Sequence, residues 1–459
     1  MININIYKLF NRSIKWNTIE AVVYQAVLTA HHIFLFSAVD KLNYALIGTV
    51  FSLLYLTIVF LNLGLDKSLA TFFVDYTKTK ANFKKYFLSQ LFLQVILLVF
   101  VGLIGVMFKD SISCLFSSNF KCPTLESSIW IIIALLLLSE SLKKTFRTFA
   151  QLAFLNKQTT SIEICAIILY FATVWGYYLI TAKISLLTIL VPFVLESLIS
   201  NIFLLIITYN YYKTISQTEL APKIAIASIV SNRFFVYINQ ISHMFFSGNF
   251  IIPFLASIYS LEHISTLKLT NNIAVFITVL MERIFGITSA ALLTHVKFLQ
   301  ISDRRQALNI STSKLYNILY AIIIFLIINF KFLSSYKIAI SDMNWMPIYL
   351  FLALLIFENF FITYEQYLIV EGKSYYLMFI NSISALLFYI ILDKTQLSLS
   401  EILGVLIAIR ISSFLLLRLI CYLILSVNLP YKIKLKHILF YILTSLLFLT
   451  LCKLVAKIT

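Results

Sequence analysis

Apolar residues in this chain come in long unbroken runs, separated by short polar breaks. Stretches such as 88–107 and 316–328 show none of the period-two polarity of a barrel strand. The first is as long as the 20 or so helical residues needed to cross about 30 Å of hydrocarbon, and the second lies within a segment of similar length, 313–333. Thirteen such segments can be read, at 17–38, 43–64, 86–108, 127–147, 160–181, 185–208, 226–256, 266–293, 313–333, 345–366, 373–393, 400–426 and 437–456. The pattern predicts an all-α polytopic membrane protein. The connections are too short, at most about 15 to 20 residues, to hold a compact catalytic domain.

Composition sharpens this picture. Of 459 residues, 61% are hydrophobic and 12% charged, too little polar surface for a water-soluble domain. The net charge of +17 is spread singly between apolar runs. That spacing suits cytoplasmic loops and anionic membrane lipids and excludes a nucleic-acid patch. The first apolar run, which follows Lys8, Arg12 and Lys15, has no small-residue cleavage site. Cys165, Cys421 and Cys452 read as packing residues. Cys114 and Cys122 share one expected outer loop, as a disulfide or as two free thiols. No spacing suits a metal, and nothing calls for a cofactor.

Charge also orients the chain. With the N-terminus inside, about 23 of the Lys and Arg residues fall in cytoplasmic segments and about 10 outside. Lys143, Lys144 and Arg147 count among the inner ones. This places a multi-pass protein in the cytoplasmic (inner) membrane with its C-terminus outside. The loop at 209–224 separates six spans from six, a division common in transporters built as two bundles. The expected parts are an N-terminal lobe at 1–208, a linker at 209–224, a C-terminal lobe at 225–426 and a thirteenth span within 427–459.

Polar residues at membrane depth are the functional candidates, because charge there is costly and faces the protein interior. Glu196 lies one turn after Pro192 and one before Ser200, on one helix face, as an ion-coupling or a structural carboxylate. Glu358 is the deepest acid of the tenth span, with Glu365 two turns on. Glu282 and Arg283 point about 100° apart in the eighth. For Arg283 a snorkelling anchor competes with a cavity role. Arg233, Tyr237, Gln240 and Ser247 form a stripe on the seventh span, expected to line a water-filled cavity. Glu20, Tyr24 and His31 mark the first span, with His31 and His32 expected at its outer interface. Glu140, Lys144 and Arg147 share a face of the fourth, and Arg410 stands near the middle of the twelfth.

Four local patterns resemble the polysaccharide, or O-antigen, flippases of the multidrug/oligosaccharidyl-lipid/polysaccharide exporter superfamily. Leu61-Asn62-Leu63-Gly64-Leu65 followed by Ser68-Leu69-Ala70 is similar to the family's acidic-x-glycine segment, with Asn62 in place of the acid. Arg233 and Phe246-Ser247-Gly248-Asn249-Phe250 resemble the family's seventh helix. Gly372-Lys373 with Asn381, and then Gly404, Ala408 and Ser412, resemble the segments that follow. Few glycines remain, and the thirteenth span departs from a plain twelve-helix form.

The resemblance implies two six-helix lobes around a central cavity that opens alternately to each side. Its cargo would be a polyprenyl-pyrophosphate-linked oligosaccharide, with the polysaccharide polymerase and glycosyltransferases of the same pathway as partners. Arg233, Arg410, Tyr237, Gln240, Lys144 and Arg147 are then the substrate-binding candidates, and Glu196, Glu358 and Glu282 the ion-coupling ones. Arginine suits pyrophosphate because its planar fork stays charged and donates several hydrogen bonds. A cation at membrane depth costs at least about 2.5 kcal/mol, which a pyrophosphate would offset. Glu196, Glu282 and Glu358 are the internal alternative for neutralising it. The competing readings are a cation-coupled multidrug exporter of the same superfamily and a membrane glycan polymerase, the latter without the large external loop its chemistry needs.

Overall fold

The computed structural model describes residues 2–39, 62–107, 127–216, 225–248, 277–335, 345–394 and 398–425, with single positions at 47, 51, 54, 57, 58, 250, 251 and 255. The thirteenth span, nearly all of the second, and the loop carrying Cys114 and Cys122 lie outside them. The described elements are helical: α1 (Ile2–Ala38), α2 (Leu65–Thr77), α3 (Lys80–Met107), α4 (Ser127–Leu152), α5 (Asn156–Thr181) and α6 (Leu186–Thr214). They continue with α7 (Ile226–Met244), α8 (Ile277–Val296), α9 (Ile301–Ser335), α10 (Met346–Val370), α11 (Ser374–Lys394) and α12 (Leu399–Leu425). Among the described residues, eight of these are long and apolar enough to cross a membrane, so the chain is a multi-pass membrane protein.

Two compact units emerge. The first holds Met1–Ile241 with the short segments Ala290–His295 and Ile369–Gly372. In it α1 packs on α5, α5 on α6, and α4 on α2, α3 and α6. Polar contacts set the registers. Ser13 donates to Asn156 (2.8 Å), whose amide donates to Asn17 (2.9 Å), tying α1 to α5. Gln94 of α3 donates to Ser141 of α4 (2.7 Å) and to Asn62 (2.6 Å). The turn from α5 to α6 is locally encoded. Ala182 closes α5 in the left-handed conformation, and Ser185 and Thr188 form a capping box that opens α6.

In the second unit α12 packs on α10 and α11. Ser384 meets Ser413 at 2.6 Å between α11 and α12, and Phe414 sits among Phe357, Phe361 and Tyr364. Two helices here depart from regular α geometry. α8 widens into a π turn at Glu282–Gly286, and α10 tightens into a 3-10 turn at Glu358–Phe361. Beside the 3-10 turn, the Asn359 amide donates to the carbonyls of Leu355 and Ile356, both at 3.1 Å. It takes up acceptors that the regular ladder would use.

Before α2 the chain turns through two left-handed residues, Leu63 (φ 47°) and Gly64 (φ 72°). A Cβ on Gly64 would stand 2.9 Å from the Arg233 carbonyl oxygen of α7. Glycine is therefore required twice over, by conformation and by close approach. Gly64→Ala is expected to cost about 1–2 kcal/mol in backbone strain alone, with the clash adding to it. A lower midpoint in thermal melting of the purified protein checks this. An unchanged midpoint would mean the turn is not built as described.

Candidate functional site

The buried charges of the first unit meet on α4. Lys143 is buried, with its ammonium 2.6 Å from Glu196 of α6, 3.6 Å from Glu163 of α5 and 3.8 Å from Glu140 one turn back. Ser200 adds a 3.4 Å hydrogen bond to Glu196. This corrects the placement of Lys143 among the cytoplasmic loop cations. Its charge lies inside the helix bundle because three carboxylates offset the cost of burying it. One residue and one turn further along the same helix, Lys144 pairs with Asp66 (2.8 Å) and Arg147 with Glu20. Of the α4 cations, only Lys144 is well exposed, at 41% of its side chain.

Asp66 is an acid that sequence reasoning passed over. It lies in the first turn of α2, four residues after Asn62, and also accepts from Gln240 at 3.4 Å. Arg233 turns back on the same segment, donating from Nε to the Leu63 carbonyl (2.9 Å) and from NH2 to that of Asn62 (3.5 Å). Four of the sequence-derived candidates, Lys144, Arg233, Tyr237 and Gln240, are thus gathered around residues 62–66, with Tyr237 reached through its backbone at Gly64. The side-chain amide oxygen of Asn62 accepts from Gln94, and the acid of this segment is Asp66. Glu163 was also missed, and Glu140 was seen only as a companion of Lys144. The spacing of Glu140 and Lys143, three apart on one helix, was the available signal.

His31, expected at the interface, is instead buried. It meets the Tyr170 hydroxyl at 3.0 Å and accepts from the Trp175 indole at 3.2 Å, with Phe171 packed alongside. The aromatic side of α5 supplies its environment.

The second unit holds the other charged centre. Arg410, fully buried, donates from Nε and NH2 to the two oxygens of Glu358, both at 2.5 Å, and from NH1 to Asn381 at 2.7 Å. The rings of Phe246 and Phe361 cover its faces at 4.2 and 4.3 Å. His243 approaches Glu358 at 3.3 Å. The internal alternative therefore holds for this arginine, because Glu358 meets its charge. Glu282 is exposed on the π turn of α8 and Glu196 is taken by Lys143. Among the described residues, no cluster of His, Cys, Asp and Glu could hold a metal ion.

Removing one member of a buried pair costs about 3–5 kcal/mol, whereas replacing both by apolar residues is often neutral. Arg410→Met should therefore lower the melting midpoint strongly, and Glu358→Leu in the same background should restore most of it. A double variant no better than the single one would show that the pair does more than neutralise itself.

No family model matches the sequence, and no curated protein matches it. Solved structures do match in fold. A multidrug resistance MATE family transporter of the MOP superfamily, in an outward-facing conformation, superposes with a TM-score of 0.66 at 13% identity, covering 91% of this chain and 96% of that one. The MATE transporter ClbM in complex with Rb+ gives 0.67 at 13% identity, covering 95% and 97%. A MOP superfamily transporter from Pyrococcus furiosus gives 0.64 at 13% identity over 91% and 96%; reversed polarity of its binding pocket suggests a different function for that protein. The fold of this chain is that of the MATE transporters of the MOP superfamily.

Proposed function

We propose that the chain is a non-enzymatic, cation-coupled exporter working by alternating access, with the carboxylates around Lys143 as its coupling centre. The observation that supports this reading is the convergence of Glu140, Glu163 and Glu196 on one buried ammonium. Three carboxylates and one lysine carry an excess of two negative charges when all are ionised. Like charges this close resist joint ionisation, so the group is suited to taking up and releasing a proton. Lys143 already fills the place of a fixed cation, which favours a proton over a metal ion as the coupling species. Glu358 is a weaker candidate because Arg410 engages both its oxygens, and Glu282 has no comparable enclosure.

For the cargo, the case for an anionic headgroup began with deep arginines needing a counter-ion. Arg410 has one in Glu358, and the fold is shared with multidrug transporters. Both observations support an amphipathic organic cation as cargo. The second reading is a flippase of the cytoplasmic membrane carrying a polyprenyl-pyrophosphate-linked oligosaccharide. The basic side chains of Lys144, Arg147 and Arg233 in the first unit favour it, Lys144 being the most open to a ligand.

The test uses proteoliposomes with an imposed proton gradient and a fluorescent organic cation. Wild-type protein should accumulate the dye, and Glu196→Gln should lose at least tenfold in gradient-driven rate at equal reconstitution. Wild-type transport by Glu196→Gln would remove the Lys143 centre from coupling. Dye transport absent from the wild type, with surface polysaccharide restored in a flippase-deficient strain, would replace the cation reading by the second one.

A further inference from the structure

Asp66 differs from the acids of the two charged centres in how its charge is met. It lies in the first turn of α2, just after the left-handed residues Leu63 and Gly64, where the helix N-terminus itself favours a negative charge. Its Oδ2 is 2.8 Å from the Lys144 ammonium, but the two ends of this pair are unlike: the aspartate side chain is 4% exposed and the lysine side chain 41%. In the Lys143–Glu196 and Arg410–Glu358 pairs both members are enclosed. Lys144 thus reaches a buried carboxylate from an open position, on a flexible four-carbon stem. Two other cations act on Asp66. Arg233 is held by the carbonyls of Asn62 and Leu63, and Lys67 follows Asp66 about 100° round the helix.

A second observation comes from α7. Gln240, 8% exposed, turns its amide nitrogen toward the other oxygen of Asp66, at 3.4 Å. Only the nitrogen can face a carboxylate, so the amide oxygen is directed elsewhere. Among the described residues that oxygen is buried and meets no hydrogen-bond donor. A buried acceptor without a donor is costly, and a donor supplied by a ligand recovers that cost. Asp66 and Gln240 therefore present a carboxylate and a neighbouring amide oxygen, both of which call for N–H.

We infer that Asp66 and Gln240 recognise the charged end of the cargo, a protonated amine or amidinium with at least two N–H donors, and that Lys144 holds its place until it arrives. The inference rests on the organic-cation reading of the cargo. Taking Lys144 away without replacement would leave a buried carboxylate unpaired, so the lysine leaves only as another cation enters. The exchange is one positive charge for one. Arg233 and Lys67 require this, since a further cation added beside them would be repelled. The incoming group also gains a contact that Lys144 does not make: one N–H meets Asp66 and another meets the Gln240 oxygen. A quaternary ammonium or phosphonium carries the charge without any N–H and leaves both acceptors unmet. The displaced lysine, already half open, returns its ammonium to water.

The test uses the full chain in nanodiscs and two monovalent cations: proflavine, which carries N–H donors, and tetraphenylphosphonium, which has none. Affinities are measured by equilibrium dialysis with empty nanodiscs subtracted, and the melting midpoint is recorded for every variant. Lys144→Gln should bind proflavine at least fivefold tighter than wild type, with a much smaller gain for tetraphenylphosphonium. Asp66→Asn added to Lys144→Gln removes both charges of the pair, a change that is often neutral for stability. It should lower proflavine affinity at least tenfold. Gln240→Leu should weaken proflavine at least threefold and leave tetraphenylphosphonium unchanged. Unchanged or weaker proflavine binding by Lys144→Gln, with tetraphenylphosphonium still bound, would overturn the site and leave the cation reading standing. Equal gains for both probes would also overturn it, since they would report only the loss of a positive charge. Binding of neither probe, by wild type or by Lys144→Gln, would remove the site together with the cation reading.

Discussion

The constraint on which this structure depends is the cost of an ionised side chain in a medium without water. At about 2.5 kcal/mol or more per group, no helix can carry such a residue toward lipid without a partner. α4 carries three basic residues in five positions, Lys143, Lys144 and Arg147, and each has found a carboxylate from a different part of the first unit. Those pairings dictate which helices can neighbour α4 and in what register. The apolar packing of α4 against α6 and α3 fills in around them. Arg410 imposes the same demand on the second unit, where Glu358, Asn381 and two aromatic rings are arranged about one guanidinium.

The two centres differ in a way that bears on mechanism. Around Arg410 the charges balance one to one, in bidentate geometry between rings, which gives a fixed structural knot. Around Lys143 the acids outnumber the base, and two of the three distances exceed ordinary hydrogen bonding. A balanced pair has little to gain from a proton, while an unbalanced group does. The excess of carboxylate at Lys143, more than the depth of any single acid, is what the proposed coupling role rests on.

Much of the fold was legible because lipid imposes a coarse rule. A span needs length and apolar character, and the described helices from α3 to α12 lie close to the runs read from the sequence. α9 begins twelve residues earlier than its apolar run at 313–333, since its polar start continues the helix without being hydrophobic. The candidate site was legible only in part. Glu196, Glu358 and Arg410 stand out because each is isolated in apolar sequence. Lys143 and Asp66 do not, since both lie next to other charged residues at the ends of runs and read as loop or interface. Partnership across 53 or 78 positions leaves no local trace. Only the folded unit shows that Glu196 belongs to Lys143 and Asp66 to Lys144.

The same pairings order the biogenesis of the first unit in time. Glu20 emerges from the ribosome 127 residues before Arg147, its partner, and Lys143 emerges before either Glu163 or Glu196. Until α5 and α6 have been made, Glu140, one turn back on the same helix, is the one of the three acids already beside Lys143. The length of chain between two opposite charges thus sets the order in which these pairs can close.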